Sequence, residues 1–151
     1  TPIVSGLSVR QALNAWQGTV MIKPGENLSG ISIMVGQDAA GLSGRVATTP
    51  IREGTRVYLV PVEREQANNV LRYSETFVKS DGTFTLTNLA PGRYFILARV
   101  EPPTAPDTPP RPIAWDAPAR VKLRRDAEGA NTIIELKPCQ QMVDYELKAG
   151  G

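Results

Sequence analysis

Between residues 73 and 100, apolar and polar positions fall into three short runs, 73–79, 83–87 and 93–100, separated by two turn signals. In the third run Tyr94, Ile96, Ala98 and Val100 share one face at the two-residue period of a strand, and Phe95 and Leu97 share the other. Apolar side chains on both faces call for cover on both, which favours a sheet packed against a second sheet or a flank over a single open sheet. The first turn, Ser80-Asp81-Gly82-Thr83, has Asp-Gly at its centre, a pair that suits the two positive φ angles of a type I′ hairpin. In the second, Ala90-Pro91-Gly92, proline pre-sets φ and glycine supplies the positive φ of a type II turn. Three runs and two reversals predict an antiparallel β-meander, with Phe84, Leu86, Tyr94 and Ile96 in its core. Gly82 is expected to need a positive φ, whereas Gly44 lies inside a strand pattern, so valine is expected to do more harm at Gly82 than at Gly44.

The rest of the chain extends the β pattern. Residues 1–18 carry Val9, Ala12, Leu13 and Trp16 at helical spacing and read as a short helix or irregular lead-in. Residues 19–23 and 28–35 read as two strands, and 42–46 starts another. Residues 55–63 are apolar on both faces, and Pro61 within them argues for an edge or a bulge. The polar stretch 64–71 reads as a connection. From Glu101 to Pro118 the chain changes regime, with seven of its thirteen prolines in one segment that predicts a long surface loop. Strand character is expected to resume at 119–123, followed by a charged turn at 124–131 and strands at 132–136 and 142–147. Arg120, Arg124 and Arg125 could form a small basic patch, but the charged protection of an edge strand is the preferred reading.

Composition supports this class. Thirteen glycines and thirteen prolines in 151 residues favour short strands joined by tight turns. Seventeen basic against fifteen acidic side chains leave a net charge of +2, too little to argue for nucleic acid or an anionic membrane surface. No apolar stretch reaches the roughly 18 residues of a membrane span, so no transmembrane segment is expected. Thr1 in place of methionine suggests a processed chain or an excised fragment. The single cysteine, Cys139, is compatible with either redox compartment.

The order of motifs resembles the carboxypeptidase regulatory-like family, modules of the prealbumin-like (transthyretin-like) β-sandwich class common in bacterial surface and exported proteins. The matching residues are Leu42-Ser43-Gly44-Arg45-Val46, residues 54–61, Ser80-Asp81-Gly82-Thr83-Phe84, and Asn88-Leu89-Ala90-Pro91-Gly92-Arg93-Tyr94; Glu128-Gly129 before 132–136 resembles the closing strand. The resemblance implies an all-β antiparallel sandwich of Greek-key/meander topology with about seven to nine strands. It spans 42–138, leaving 1–41 as an N-terminal flank with one or two strands and 139–151 as a C-terminal strand and tail. It further implies a non-catalytic accessory module of a larger extracytoplasmic protein, partnered by neighbouring domains of that protein, another extracytoplasmic protein or a glycan. The long proline-rich loop and both flanks depart from the family's pattern.

The chain contains no histidine. That excludes Ser-His-Asp and Cys-His constellations and imidazole-based zinc sites, and with them the metallocarboxypeptidase chemistry in the family's name. The aspartates fall in predicted turns, where Asp serves local hydrogen bonds, and no spaced acidic loop suits calcium. Neither catalytic activity nor a cofactor is expected. The candidate partner-binding residues are Arg111, Ile113, Trp115 and Asp116, which put a cation, an apolar group, a large aromatic and an acid within one proline-restrained segment. Two alternatives stand for Trp115: an exposed anchor, for a protein or as a carbohydrate- or peptide-stacking platform, or a ring folded back to cap an open end of the sandwich.

Overall fold

The computed structural model describes residues 21–30, 37–103, 105–109 and 111–148. These residues form β1 (Ala40–Val46), β2 (Thr55–Pro61), β3 (Ser74–Phe77), β4 (Thr83–Leu89), β5 (Gly92–Val100), α1 (Ala117–Ala130), β6 (Ile133–Leu136) and β7 (Gln141–Leu147). Two sheets result, one ordered β4-β1-β7 and the other β3-β2-β5-β6. The helix expected in residues 1–18 lies outside the described residues. Of the two strands expected near it, residues 21–23 and 28–30 are not strand and the remainder lies outside the description.

The sheets face each other across a core of Leu42, Val46, Val57, Leu59, Phe84, Leu86, Tyr94, Ile96, Leu136 and Leu147. Phe84, Leu86, Tyr94 and Ile96 are all buried, as the period-two pattern requires. The opposite face of the four-stranded sheet carries a second core of Tyr58, Val60, Phe95 and Tyr73, covered by Ile113, Leu123 and Ala127. The apolar residues on both faces of β5 thus meet a sheet on one side and a helix on the other.

Several expectations are corrected. The runs at 73–100 do not form a meander: β3 and β5 flank β2 in one sheet, whereas β4 pairs with β1 in the other. Between β3 and β4, Gly82 N donates to Lys79 O at 2.8 Å and Lys79 N to Thr83 O at 2.9 Å. Only Gly82, at φ +85, is left-handed there, so the turn is not type I′. The Asp81 carboxylate accepts from Thr83 N at 2.9 Å and Thr83 Oγ1 at 2.6 Å, and these bonds hold its carboxyl below its usual range.

The second correction concerns 117–130, which is helical. Asp116 caps it, its Oδ1 accepting from Ala119 N at 3.0 Å; Pro118 sits in the first turn, where no N–H is needed. Asn131, left-handed at φ 51, closes it by donating its N–H to Ala127 O. Leu123 and Ala127, one turn apart, form the buried stripe. The three arginines therefore stand on a helix rather than an edge strand. Arg124 ties it to the sheet, donating from Nη1 to Pro61 O at 2.6 Å and from Nη2 to Val62 O at 2.8 Å.

The third correction concerns strand direction. The sandwich is not wholly antiparallel, because β7 runs parallel to β1 and buries Leu147 in the main core. β7, Gln141–Leu147, is thus the strand expected after residue 139 and is integral to the sandwich, and β1 begins at Ala40. Pro61 ends β2 opposite Tyr94 of β5; the β2–β3 pairing stops at Leu59, so on its other side Pro61 stands at a local edge, where its missing N–H is tolerated.

The chain reverses at Ala90-Pro91-Gly92 as expected, but Gly92 at φ +147 lies well away from the roughly +80° of a type II turn, so that turn type is corrected. Tyr94 Oη donates to Ala90 O at 2.7 Å, and Arg72 Nη1 reaches both Pro91 O at 2.6 Å and Tyr94 Oη at 3.2 Å. A tyrosine hydroxyl folded back onto the chain just before its own strand is a tyrosine corner. Tyr94→Phe is expected to cost about 1–3 kcal/mol, since the Ala90 carbonyl is left buried without this donor. Urea denaturation measures it, and a change within error of zero would show that the hydroxyl holds nothing.

Candidate functional site

The proline-rich segment is pinned at both ends. At its start, burial alone would raise the Glu101 carboxyl, but hydrogen bonds from Tyr58 and Arg99, and the Arg99 charge, hold it below the carboxylate range. Tyr58 Oη donates to Glu101 Oε1 at 2.8 Å, and Arg99 Nε lies 2.6 Å from the same oxygen. Arg99 also pairs with Asp126 of α1 at 3.0 Å, joining the loop base to the sheet and the helix.

At its far end the chain enters a 3-10 turn, Ile113–Trp115, immediately before α1. Trp115 N donates to Pro112 O at 3.0 Å and Asp116 N to Ile113 O at 3.2 Å. Ile113 is buried against Tyr58, Val60 and Leu123, and its N–H donates to Glu75 Oε1 at 3.4 Å. Arg120 Nη1 donates to the Ala114 carbonyl, while Asp116 caps the helix. Both neighbours of Trp115 are thereby held, yet its own side chain is 65% exposed. Trp115 is not a cap on the sandwich.

The four candidate residues therefore separate into two pairs. Ile113 and Asp116 serve the fold, one as a core side chain and the other as a helix cap, whereas Arg111 and Trp115 are exposed. Sequence reasoning missed Phe77, an exposed aromatic on the edge strand β3. The Arg56 guanidinium lies 4.2 Å from its ring centroid, and Arg56 in turn pairs with Glu75 at 3.5 Å, the residue that meets the Ile113 N–H. The available signal was its place at the polar end of a short apolar run. Among the described residues, no group of three or more His, Cys, Asp or Glu side chains is placed to hold a metal ion, and no helix is long and apolar enough to cross a membrane. Cys139 is exposed, with Sγ 3.0 Å from Gln37 O.

These features define a mostly β chain built on two packed sheets, with one helix closing the outer face of the larger sheet. Compared with protein-family models, curated proteins and solved structures, the chain shows no match in any of the three.

Proposed function

We propose that this chain is a non-catalytic β-sandwich interaction module of a larger exported or cell-surface bacterial protein, which engages its partner through the surface on which Trp115 stands. The observation that carries this reading is a tryptophan ring left largely in water while the residues on either side of it are fixed by the core and by a helix cap. Such a ring loses little freedom on binding, and tryptophan is among the side chains most enriched at interface hot spots. The prealbumin-like topology and the extracytoplasmic setting belong to the same proposal and rest on the motif resemblance in residues 42–138.

Trp115→Ala is expected to leave folding stability within about 0.5 kcal/mol, as for a surface substitution. It is expected to weaken partner binding by at least about 1 kcal/mol, roughly fivefold. Titration of the chain against the adjoining domains of its full-length protein, alongside a glycan array, tests this and separates a protein partner from a carbohydrate one. Unchanged affinity of the Trp115→Ala variant for every partner found would remove Trp115 from the interface.

A further inference from the structure

Beside the Trp115 turn, α1 and the chain leading into β3 enclose an open cleft of about 280 Å³. Its walls include Tyr73, Arg120, Val121, Arg124, Arg125 and Glu128. Glu128 is already paired with Arg124, whose Nε lies 3.1 Å from Glu128 Oε1. Arg124 also donates from Nη1 to the Pro61 carbonyl and from Nη2 to the Val62 carbonyl, which ties its head group to the end of β2. Arg120 and Arg125 have no carboxylate at ion-pair distance among the described residues. The cleft thus carries two guanidinium groups without an ion-pair partner among the described residues, Arg120 lying 5.8 Å from the Tyr73 ring centroid and Arg125 exposed, on walls that also include apolar surface.

Val121 adds an independent observation. It lies in the middle of α1 and is 61% exposed. A β-branched residue there loses rotamer freedom in the helix and gains little from burial, so helix stability alone favours alanine, lysine or glutamate at this position. An apolar group kept exposed between guanidinium groups suits an occupant that presents carboxylates around an apolar side chain.

We infer that this cleft binds an acidic peptide segment of a partner protein, with its carboxylates at Arg120 and Arg125 and one apolar side chain on Val121. The volume admits one or two side chains, so the occupant is an extended segment rather than a folded surface pressed in whole. Arg120, which donates to the Ala114 carbonyl, links the cleft to the turn that carries Trp115. The inference rests on the reading of this surface as an interaction face, and it names the chemistry of the partner.

The test is fluorescence anisotropy with a labelled Glu-Glu-Leu-Glu-Glu peptide, a Gln-Gln-Leu-Gln-Gln control and a sulfated oligosaccharide. The acidic peptide is expected to bind, the glutamine control to bind at least about tenfold more weakly, and raising the salt to weaken the acidic complex. Arg125→Glu is expected to abolish binding, and Val121→Ser to weaken it. Both positions are exposed and neither side chain holds the fold, so circular dichroism should be unchanged. Equal binding of the acidic and glutamine peptides, binding indifferent to Arg125→Glu, or binding of the sulfated oligosaccharide alone would overturn the inference. Trp115→Ala in the same assay separates the two readings: a peptide that binds through Arg125 but ignores Trp115 upholds the acidic cleft and counts against the ring as an anchor.

Discussion

Gly44→Val is expected to prevent the sandwich from closing, or to destabilise it by more than about 3 kcal/mol, beyond the usual range for overpacking. The cause is the register of the parallel β1–β7 pair. Leu42 lies opposite Met142, but two residues later Gly44 lies opposite Tyr145, so β7 carries an extra residue, with Asp144 left-handed at φ 56. That bulge brings the Tyr145 backbone onto Gly44, and a Cβ there would overlap the Tyr145 carbonyl oxygen. A backbone atom in a paired strand cannot step aside as a flexible side chain can. At Gly82, by contrast, a Cβ would meet Arg45 Cγ and the Val46 carbonyl oxygen at 3.4 Å. Its main cost is the left-handed backbone at φ +85, about 1–3 kcal/mol for a residue strained there. The order expected from sequence, with Gly82 the more sensitive, is therefore reversed. Denaturant unfolding of the two valine variants decides between them, and equal or greater damage at Gly82 would contradict the β1–β7 register.

Leu123→Ala carries the second large effect, about 2–5 kcal/mol. Leu123 is fully buried and, with Ala127, presents the apolar stripe of α1 to Tyr58, Val60 and Phe95 on the outer face of the four-stranded sheet. Truncation leaves a cavity between helix and sheet that neither wall fills. Arg124 adjoins it and bonds to the carbonyls of Pro61 and Val62 at the end of β2, so loosening the helix also endangers that tether. Equilibrium unfolding in urea measures the loss. A cost below about 1 kcal/mol would mean that α1 does not pack on the sheet.

How much of this was legible in the chain differed by the physical range of each cue. Tyr94, Ile96, Phe95 and Leu97 went to opposite faces of β5 as their spacing demands, because period two is a property of one strand. The turn residues showed that the chain reverses at Gly82 and Gly92. They carry no information about which sheet receives the next strand, and β4 paired with β1 across the core. For α1, Ala119, Val121 and Leu123 alternate as a strand would, which conflicts with the cues at the two ends of the segment. Asp116, Pro118 and Asn131 were in plain view as a cap, a first-turn proline and a left-handed stop. The candidate site was found in part. Its proline-rich setting and its tryptophan could be picked out, but residue type alone did not tell the exposed Trp115 from Ile113 and Asp116, which the core and the helix end claim.

Intrinsic fluorescence of Trp115 tests the central claim most directly. The chain has two tryptophans, so Trp16→Phe leaves Trp115 as the single reporter. An interaction surface built on an exposed ring predicts red-shifted emission and ready quenching by acrylamide in the folded protein. Blue-shifted emission protected from quencher would place the ring in an apolar environment, and Trp115 would then be a packing residue with no claim to a partner.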